Sequence, residues 1–187
     1  ERFAGQHDLD PAQEFASWQA LLAAPKQAQV AFICTQDQEH TAPALAAMRA
    51  GYDVLLEKPM ATTAADCKLL VETSESLGRQ LHISHVMRYT RQYAMLREIV
   101  QSGQLGEIIT VDHRENVSFY HMAHSFVRGN WRNQALSSPM ILAKCCHDLD
   151  ILLWLLDGHC ETIASVGGLN HFRPENAPPG APLRCTD

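Results

Sequence analysis

The stretch AQVAFICTQDQEHTAPALAAMRAGYDVLLEKPMA, residues 28–61, decides the fold. Ala28 to Cys34 is a short apolar run with β-branched members, which predicts a buried strand. Thr35-Gln36-Asp37 is a polar turn in which Asp37 can cap a helix. His40 to Ala50 is alanine-rich and helical, and Gly51 follows as a C′ glycine would. Asp53 to Leu56 is a second apolar strand, and Pro59 prevents its continuation as a central strand. A strand, a helix and a strand joined by short links form a βαβ unit, and such units build parallel sheets.

Working outward, the same alternation continues. Thr63 to Leu77 predicts a helix stopped by Gly78, and Leu81 to His85 predicts a third strand. Upstream, Asp10-Pro11 reads as a cap and first helical residue, with Phe15, Trp18, Leu21 and Leu22 at helical spacing up to Pro25. Beyond about His85 to Arg88 the character changes. Arg91 to Gln101 predicts a helix closed by Ser102-Gly103, and Glu107 to Ser118 a longer strand. Residues 119–138 are irregular, Pro139 to Leu156 predict one helix stopped at Asp157-Gly158, and Glu161 to Gly168 another strand. The proline-bearing tail after residue 173 reads as loop. The expected fold class is therefore α/β: a partial Rossmann half with a parallel sheet over residues 1–86, then an α+β domain over 87–187.

Composition narrows the function. The chain has 187 residues, 46% hydrophobic and 19% charged, which is the balance of a globular protein and not of a disordered one. Its net charge of −6 offers no basic field for a nucleic-acid backbone. The longest apolar run, Ile151 to Leu156, is far shorter than the ~20 residues that span a bilayer. The first residues carry no apolar leader segment, so no nucleic-acid or membrane partner and a cytoplasmic setting are expected. Cys34, Cys67, Cys145, Cys146, Cys160 and Cys185 show no CxxC spacing, which favours reduced thiols over a disulfide framework and gives no metal site.

Three groups of residues could carry chemistry. Glu57-Lys58-Pro59 lies at the carboxyl end of a predicted parallel strand, where open α/β sheets place their ligand crevice. A lysine there can move a proton or orient a hydroxyl; it can equally be a solvated turn. Thr35, Gln36 and His40, from the loop after the preceding strand, would face the same crevice. Lys144, His147, Asp148 and Asp150 share one helix, and the spacing of three places Lys144 and His147 on one stripe. With Leu149, Leu152, Leu153 and Leu155 buried behind them, Lys144 would keep His147 neutral by like-charge repulsion, leaving an imidazole able to accept a proton. The third group, His113, His121 and His124 with Arg128, Trp131 and Arg132, is a basic aromatic stretch suited to a polar or anionic small ligand, or an ordinary exposed loop.

The order of motifs AFICTQDQEH, AMRAGYDVLLEKPMA, LHISHVMRYTRQY, SGQLGEI and AKCCHDLDILLWLLDG resembles the Gfo/Idh/MocA oxidoreductases over nearly the whole chain. The resemblance implies a Rossmann domain binding NAD or NADP, followed by an α/β domain with an open mixed sheet. It implies hydride transfer on a sugar, cyclitol or related polyol; separately, an exposed sheet face expected in the second half suggests a homo-oligomer. Thr35, Gln36, His40, Glu57, Pro59, His85 and Arg88 would then lie on the cofactor side, with Glu57 near the nicotinamide ribose. Lys58, His147 and Lys144 would be catalytic, and Trp131, Arg132 and Asp148 would meet the substrate. Two departures stand out. The glycine-rich GxGxxG turn is absent, so the chain reads as a fragment, without the C-terminal part as well, and is expected to bind nicotinamide weakly on its own. Ala143 stands where many members carry Asp four residues before the catalytic His, and Lys144 follows it. The alternatives are an NAD-dependent glycosidase of the same fold and a non-catalytic binding or regulatory module.

Overall fold

The computed structural model describes residues 5–8 and 10–182, so Cys185 lies outside the described residues. The chain divides into two compact units, residues 1–84 and 85–187, which are described separately.

The first unit carries a three-stranded parallel sheet in the order β1 (Val30–Ile33), β2 (Asp53–Leu56), β3 (Leu81–Ile83). Register is set by Val30 opposite Asp53 and Val54 opposite Leu81. Strand β2 buries alternate residues, Val54 and Leu56, as the two-residue period of a strand requires. These meet Leu45, Ala47 and Met48 of helix α2 (Thr41–Arg49) and Leu70 of helix α3 (Ala64–Leu77) in one hydrophobic cluster. Phe32 of β1 stays 69% exposed, so the expected full burial of that strand is not met: its alternate side chains find no apolar cover among the described residues.

The ends of α3 follow from local chemistry. The Thr63 hydroxyl accepts the Asp66 N–H and donates to the Asp66 carboxylate at 2.7 Å. Gly78 ends the helix in the left-handed conformation at φ +59°, where a side chain would be strained. Upstream, the expected helix from Pro11 is two elements. Asp10 caps a single 3-10 turn, Pro11–Gln13, and α1 (Trp18–Ala23) starts afresh with Ser17 as its cap. The Ser17 cap is the competing start signal, and it leaves Phe15 between the two.

The second unit is built on α4 (Arg91–Gln101), α5 (Met140–Ala143) and α6 (Cys146–Leu156). Arg97 donates to the Trp154 carbonyl and Gln101 donates to the Leu155 carbonyl at 3.1 Å. Two side chains one turn apart on α4 thus satisfy carbonyls that the end of α6 leaves open. Asp157 stops α6 at φ +52°.

Three expectations need correction here. The helix from Pro139 is interrupted at Lys144 and Cys145, and Pro139 caps α5 rather than opening it from within. The buried stripe of α6 is Ile151 and Leu155, one turn apart, while Leu149 and Leu153 are 47% and 45% exposed. The strands expected at 107–118 and 161–168, and with them a mixed sheet in this unit, do not form among the described residues. A strand exists only through its ladder, and neither segment has a hydrogen-bonded neighbour. In place of a longer strand, the chain turns into a helical segment, Phe119–His121 followed by a wide turn at Met122–Val127.

Candidate active site

In the first unit, the parallel register brings the carboxyl ends of β1 and β2 side by side. The Glu57 N–H donates to the Ile33 carbonyl at 2.9 Å, which fixes the loop after β2 beside the loop after β1. Thr35 and Gln36 lie exposed in one loop, and Glu57 and Lys58 are half-buried in the other. The Lys58 N–H donates to a Glu57 carboxylate oxygen at 3.1 Å, so this carboxylate is held in place by its own turn. The Thr35 hydroxyl donates to the Glu39 carbonyl, closing the first loop.

His40 is placed differently from the expected cofactor contact. Its ring is 1% exposed, with Nδ1 2.7 Å from the Pro59 carbonyl and Nε2 3.1 Å from the Thr35 carbonyl. Pro59 is likewise buried. Neither surface is open to a ligand; His40 instead braces the loop after β1 against the Lys58-Pro59 turn. An apolar core around α2 forces this, since a buried imidazole must find polar partners.

In the second unit, a cavity of about 40 Å³ is lined by Met87, Tyr93, Glu115, Lys144, His147, Asp148 and Ile151. Lys144 and His147 therefore meet at one cavity despite the helix break between α5 and α6. The Lys144 ammonium lies 2.5 Å from Glu115, both side chains being about two-thirds or more buried. The Glu115 hydrogen bond is the main cause holding Lys144 above the ordinary lysine value, with burial pulling the other way. Asp148 holds His113 Nε2 at 2.6 Å. The positive charge on Lys144 is thus matched by Glu115 and faced by Asp148. His147 lines the same cavity as this paired ammonium.

A second carboxylate, Asp150, anchors the residues that lead into this unit. Arg88 donates to both its oxygens, and His85 Nδ1 lies 3.8 Å away. The His85 and His147 rings meet edge to face with centroids 6.0 Å apart. The Asp150 hydrogen bond holds Arg88 above its ordinary value, against a smaller opposing effect of burial. Arg88 also lies over the Trp154 ring at 5.9 Å. Its fork is committed to α6, so its place is that of a brace rather than of a freely offered cofactor contact.

Trp131 and Arg132 do not reach the cavity. They sit on a 3-10 turn where Arg132 donates back to the Gly129 carbonyl at 3.0 Å, and Phe126 lies against Trp131. Glu115, Tyr93 and the pairing of His113 with Asp148 were not foreseen as site features. Only alternation within 113–115 hints at them, since residues two apart in non-helical chain project to one side. Among the described residues no group of three or more His, Cys, Asp or Glu side chains could hold a metal ion, and no helix is long and apolar enough to cross a membrane.

Comparison with known proteins agrees with this architecture. Residues 1–85 match the oxidoreductase family with an NAD-binding Rossmann fold, Gfo/Idh/MocA, and residues 93–180 match the Gfo/Idh/MocA C-terminal domain. The chain belongs to the Gfo/Idh/MocA oxidoreductase family. It is similar to inositol 2-dehydrogenase of Pseudomonas syringae pv. syringae strain B728a, 34% identical over 155 residues, covering 80% of this chain and 42% of that protein. Inositol 2-dehydrogenase of Salmonella typhimurium strain LT2 is 32% identical over 139 residues, covering 74% of this chain and 38% of that protein. An inositol dehydrogenase homologue from Azotobacter vinelandii, solved with NAD+, superposes with a TM-score of 0.71 at 21% identity over 83% of this chain and 42% of that one. An inositol dehydrogenase homologue from Azotobacter vinelandii solved with NADH and myo-inositol gives a TM-score of 0.53 at 25% identity over 57% of this chain and 29% of that one. The chain spans between 31% and 42% of the length of the curated relatives it matches.

Proposed function

We propose that this chain forms part of an NAD-dependent dehydrogenase that oxidises a secondary hydroxyl of a cyclitol or related sugar polyol. The observation that carries the reading is the cavity where His147, Lys144 and Asp148 converge beside Glu115. Oxidising a carbinol requires loss of a hydroxyl proton, and a histidine among hydrogen-bonding charges is suited to take it. The names of the inositol 2-dehydrogenase relatives support a cyclitol as the substrate class.

The residues of the first unit fit the cofactor. Thr35 and Gln36 lie exposed at the carboxyl end of β1, and the turn-fixed Glu57 carboxylate can accept from ribose hydroxyls. When bound, NAD accepts the hydride. Lys58, at the adjacent strand end, is assigned to the substrate hydroxyl and Glu57 to the ribose. Cys34, Cys67, Cys145 and Cys160, outside any disulfide among the described residues, fit a reducing, cytosolic setting. The exposed Ile109, Val111, Ile163 and Val166 fit self-association of copies.

The test is NAD reduction by the full-length protein with myo-inositol, glucose and sorbitol, repeated with Lys58→Met. Turnover with at least one polyol is expected, falling ~10²–10⁴-fold in the variant while the cofactor KM stays close to wild type. No turnover with any polyol, or wild-type kinetics in Lys58→Met, would overturn the assignment.

A further inference from the structure

We propose that Glu115 is a positioning residue: by bonding Lys144 it fixes that lysine as a hydrogen-bond donor beside His147, which leaves His147 to take the substrate's proton. This rests on the dehydrogenase reading above and adds a residue and a division of labour to it.

Lys144 and His147 are both basic groups at one cavity, and either could in principle accept the hydroxyl proton. The surroundings of Lys144 separate them. Glu115 lies 2.5 Å from its ammonium. Across the break, Asp148 and His147 of α6 line the same cavity with Cys145 next in the chain, and from α4 Tyr93 closes it. The bonded Glu115 carboxylate, with Asp148 lining the same cavity, favours the charged lysine, and Met87 and Ile151 supply an apolar lining that strengthens such bonds. An ammonium has three N–H donors. One goes to Glu115, and the others remain for a group entering the cavity.

The size of the cavity fits this role. About 40 Å³ admits a hydroxyl or a water, not a sugar ring, so only the reacting oxygen would reach Lys144. The step then balances as follows. Bound NAD would supply the hydride acceptor, taking the electron pair of the carbinol C–H bond as that bond breaks. The O–H bond breaks and its proton passes to the His147 imidazole. The oxygen electrons form the carbonyl π bond, and Lys144 donates to that oxygen throughout without giving up a proton. Glu115 acts only through Lys144.

The break between α5 and α6 serves this geometry. Lys144 sits at the end of α5 with φ −109°, off the regular helical path, and reaches a residue 29 positions earlier in the chain. Ala143, four residues before His147, is 4% exposed and offers no polar side-chain atom. Glu115 with Lys144 therefore supplies the charged hydrogen-bonding function from a different strand of the chain.

The experiment uses the full-length protein, its Glu115→Gln and Glu115→Asp variants, and two readouts. The first is the NMR titration of the Lys144 ammonium without substrate or cofactor. The second is the pH profile of kcat/KM for the best polyol. In Glu115→Gln the lysine titration is expected to move toward lower pH by about one unit or more, since an opposite charge this close shifts a neighbour by roughly that amount. The alkaline limb of the rate profile should move with it, kcat should fall, and the KM for NAD should stay unchanged. Glu115→Asp should restore part of both. An active wild type whose Glu115→Gln variant titrates and turns over like it overturns the role of Glu115 and leaves the dehydrogenase reading standing. A wild type inactive on every polyol overturns the reaction assigned above, and this role with it, whatever the titration shows.

Discussion

Arg88 meets Asp150 through two nearly parallel hydrogen bonds, Nε to Oδ2 at 2.7 Å and Nη2 to Oδ1 at 2.5 Å. The two residues are 62 positions apart, so this fork ties the start of the second unit to the middle of α6. Guanidinium and carboxylate match in shape, which is why a lysine cannot replace the arginine on equal terms.

Asp150→Asn should therefore destabilise the second unit by about 1–2 kcal/mol, less than a fully buried pair because the Arg88 side chain is 39% exposed. Chemical denaturation of the full-length protein measures this. Arg88→Lys should lose a similar amount, and an unchanged midpoint in both variants would show that the fork contributes nothing.

His40 binds two loops together from inside the core. His40→Ala removes the ring between the Thr35 and Pro59 carbonyls and leaves both without that partner. A loss of about 2–4 kcal/mol is expected from the cavity and the carbonyl that loses its N–H donor together. Cofactor affinity should fall as well, because the brace holds the Thr35 loop against the Lys58 turn. Equal stability with reduced affinity would instead make His40 a direct ligand contact.

The thiols should differ in reactivity. Burial is the main cause holding Cys145 above the ordinary thiol value, and Asp148 and Glu115 add to it while Lys144 opposes. Burial likewise raises Cys67. Cys34 and Cys160 are exposed. Iodoacetamide at neutral pH should label Cys34 and Cys160 well before Cys67 and Cys145, as mass spectrometry of timed samples can show. The raised thiols also bear on stability: their contribution is intact below the unfolded thiol value and is lost as pH rises through the folded one.

The Lys144–Glu115 pair has the same sign. A lysine raised by folding stabilises fully below its unfolded value and loses that contribution only as pH rises through the higher folded value. Glu115→Gln should therefore narrow the stability gap to wild type only on the strongly alkaline side. Denaturation midpoints taken at neutral and alkaline pH test this, and a gap that is constant across that range would deny the pair its charge.

Much of the first unit was legible because its signals are local. Thr63 and Gly78 mark the ends of α3 by capping and by left-handed backbone. The β–α alternation around Glu57-Lys58-Pro59 needed only periodicity and a proline. The second unit resisted for the opposite reason. The break at Lys144-Cys145 carries no glycine or proline to announce it. Whether 107–118 pairs as a strand depends on a neighbour that composition cannot name. Glu115 became visible only once its partner, far along the chain, was in place, and His40 turned from ligand candidate to brace because burial is a property of the fold.

The segment around residues 113–115 has no ladder to hold it, yet His113 and Glu115 reach Asp148 and Lys144. Two residues spaced by two engage two residues spaced by four. That makes the segment sensitive to length more than to composition. The intervening Arg114 bonds outward to Asp112 and is free to vary. Deleting or inserting a single residue between the two anchors would turn one of them to the opposite side and unhook it from its partner. Loops generally tolerate gain or loss of residues; this one behaves as a ruler.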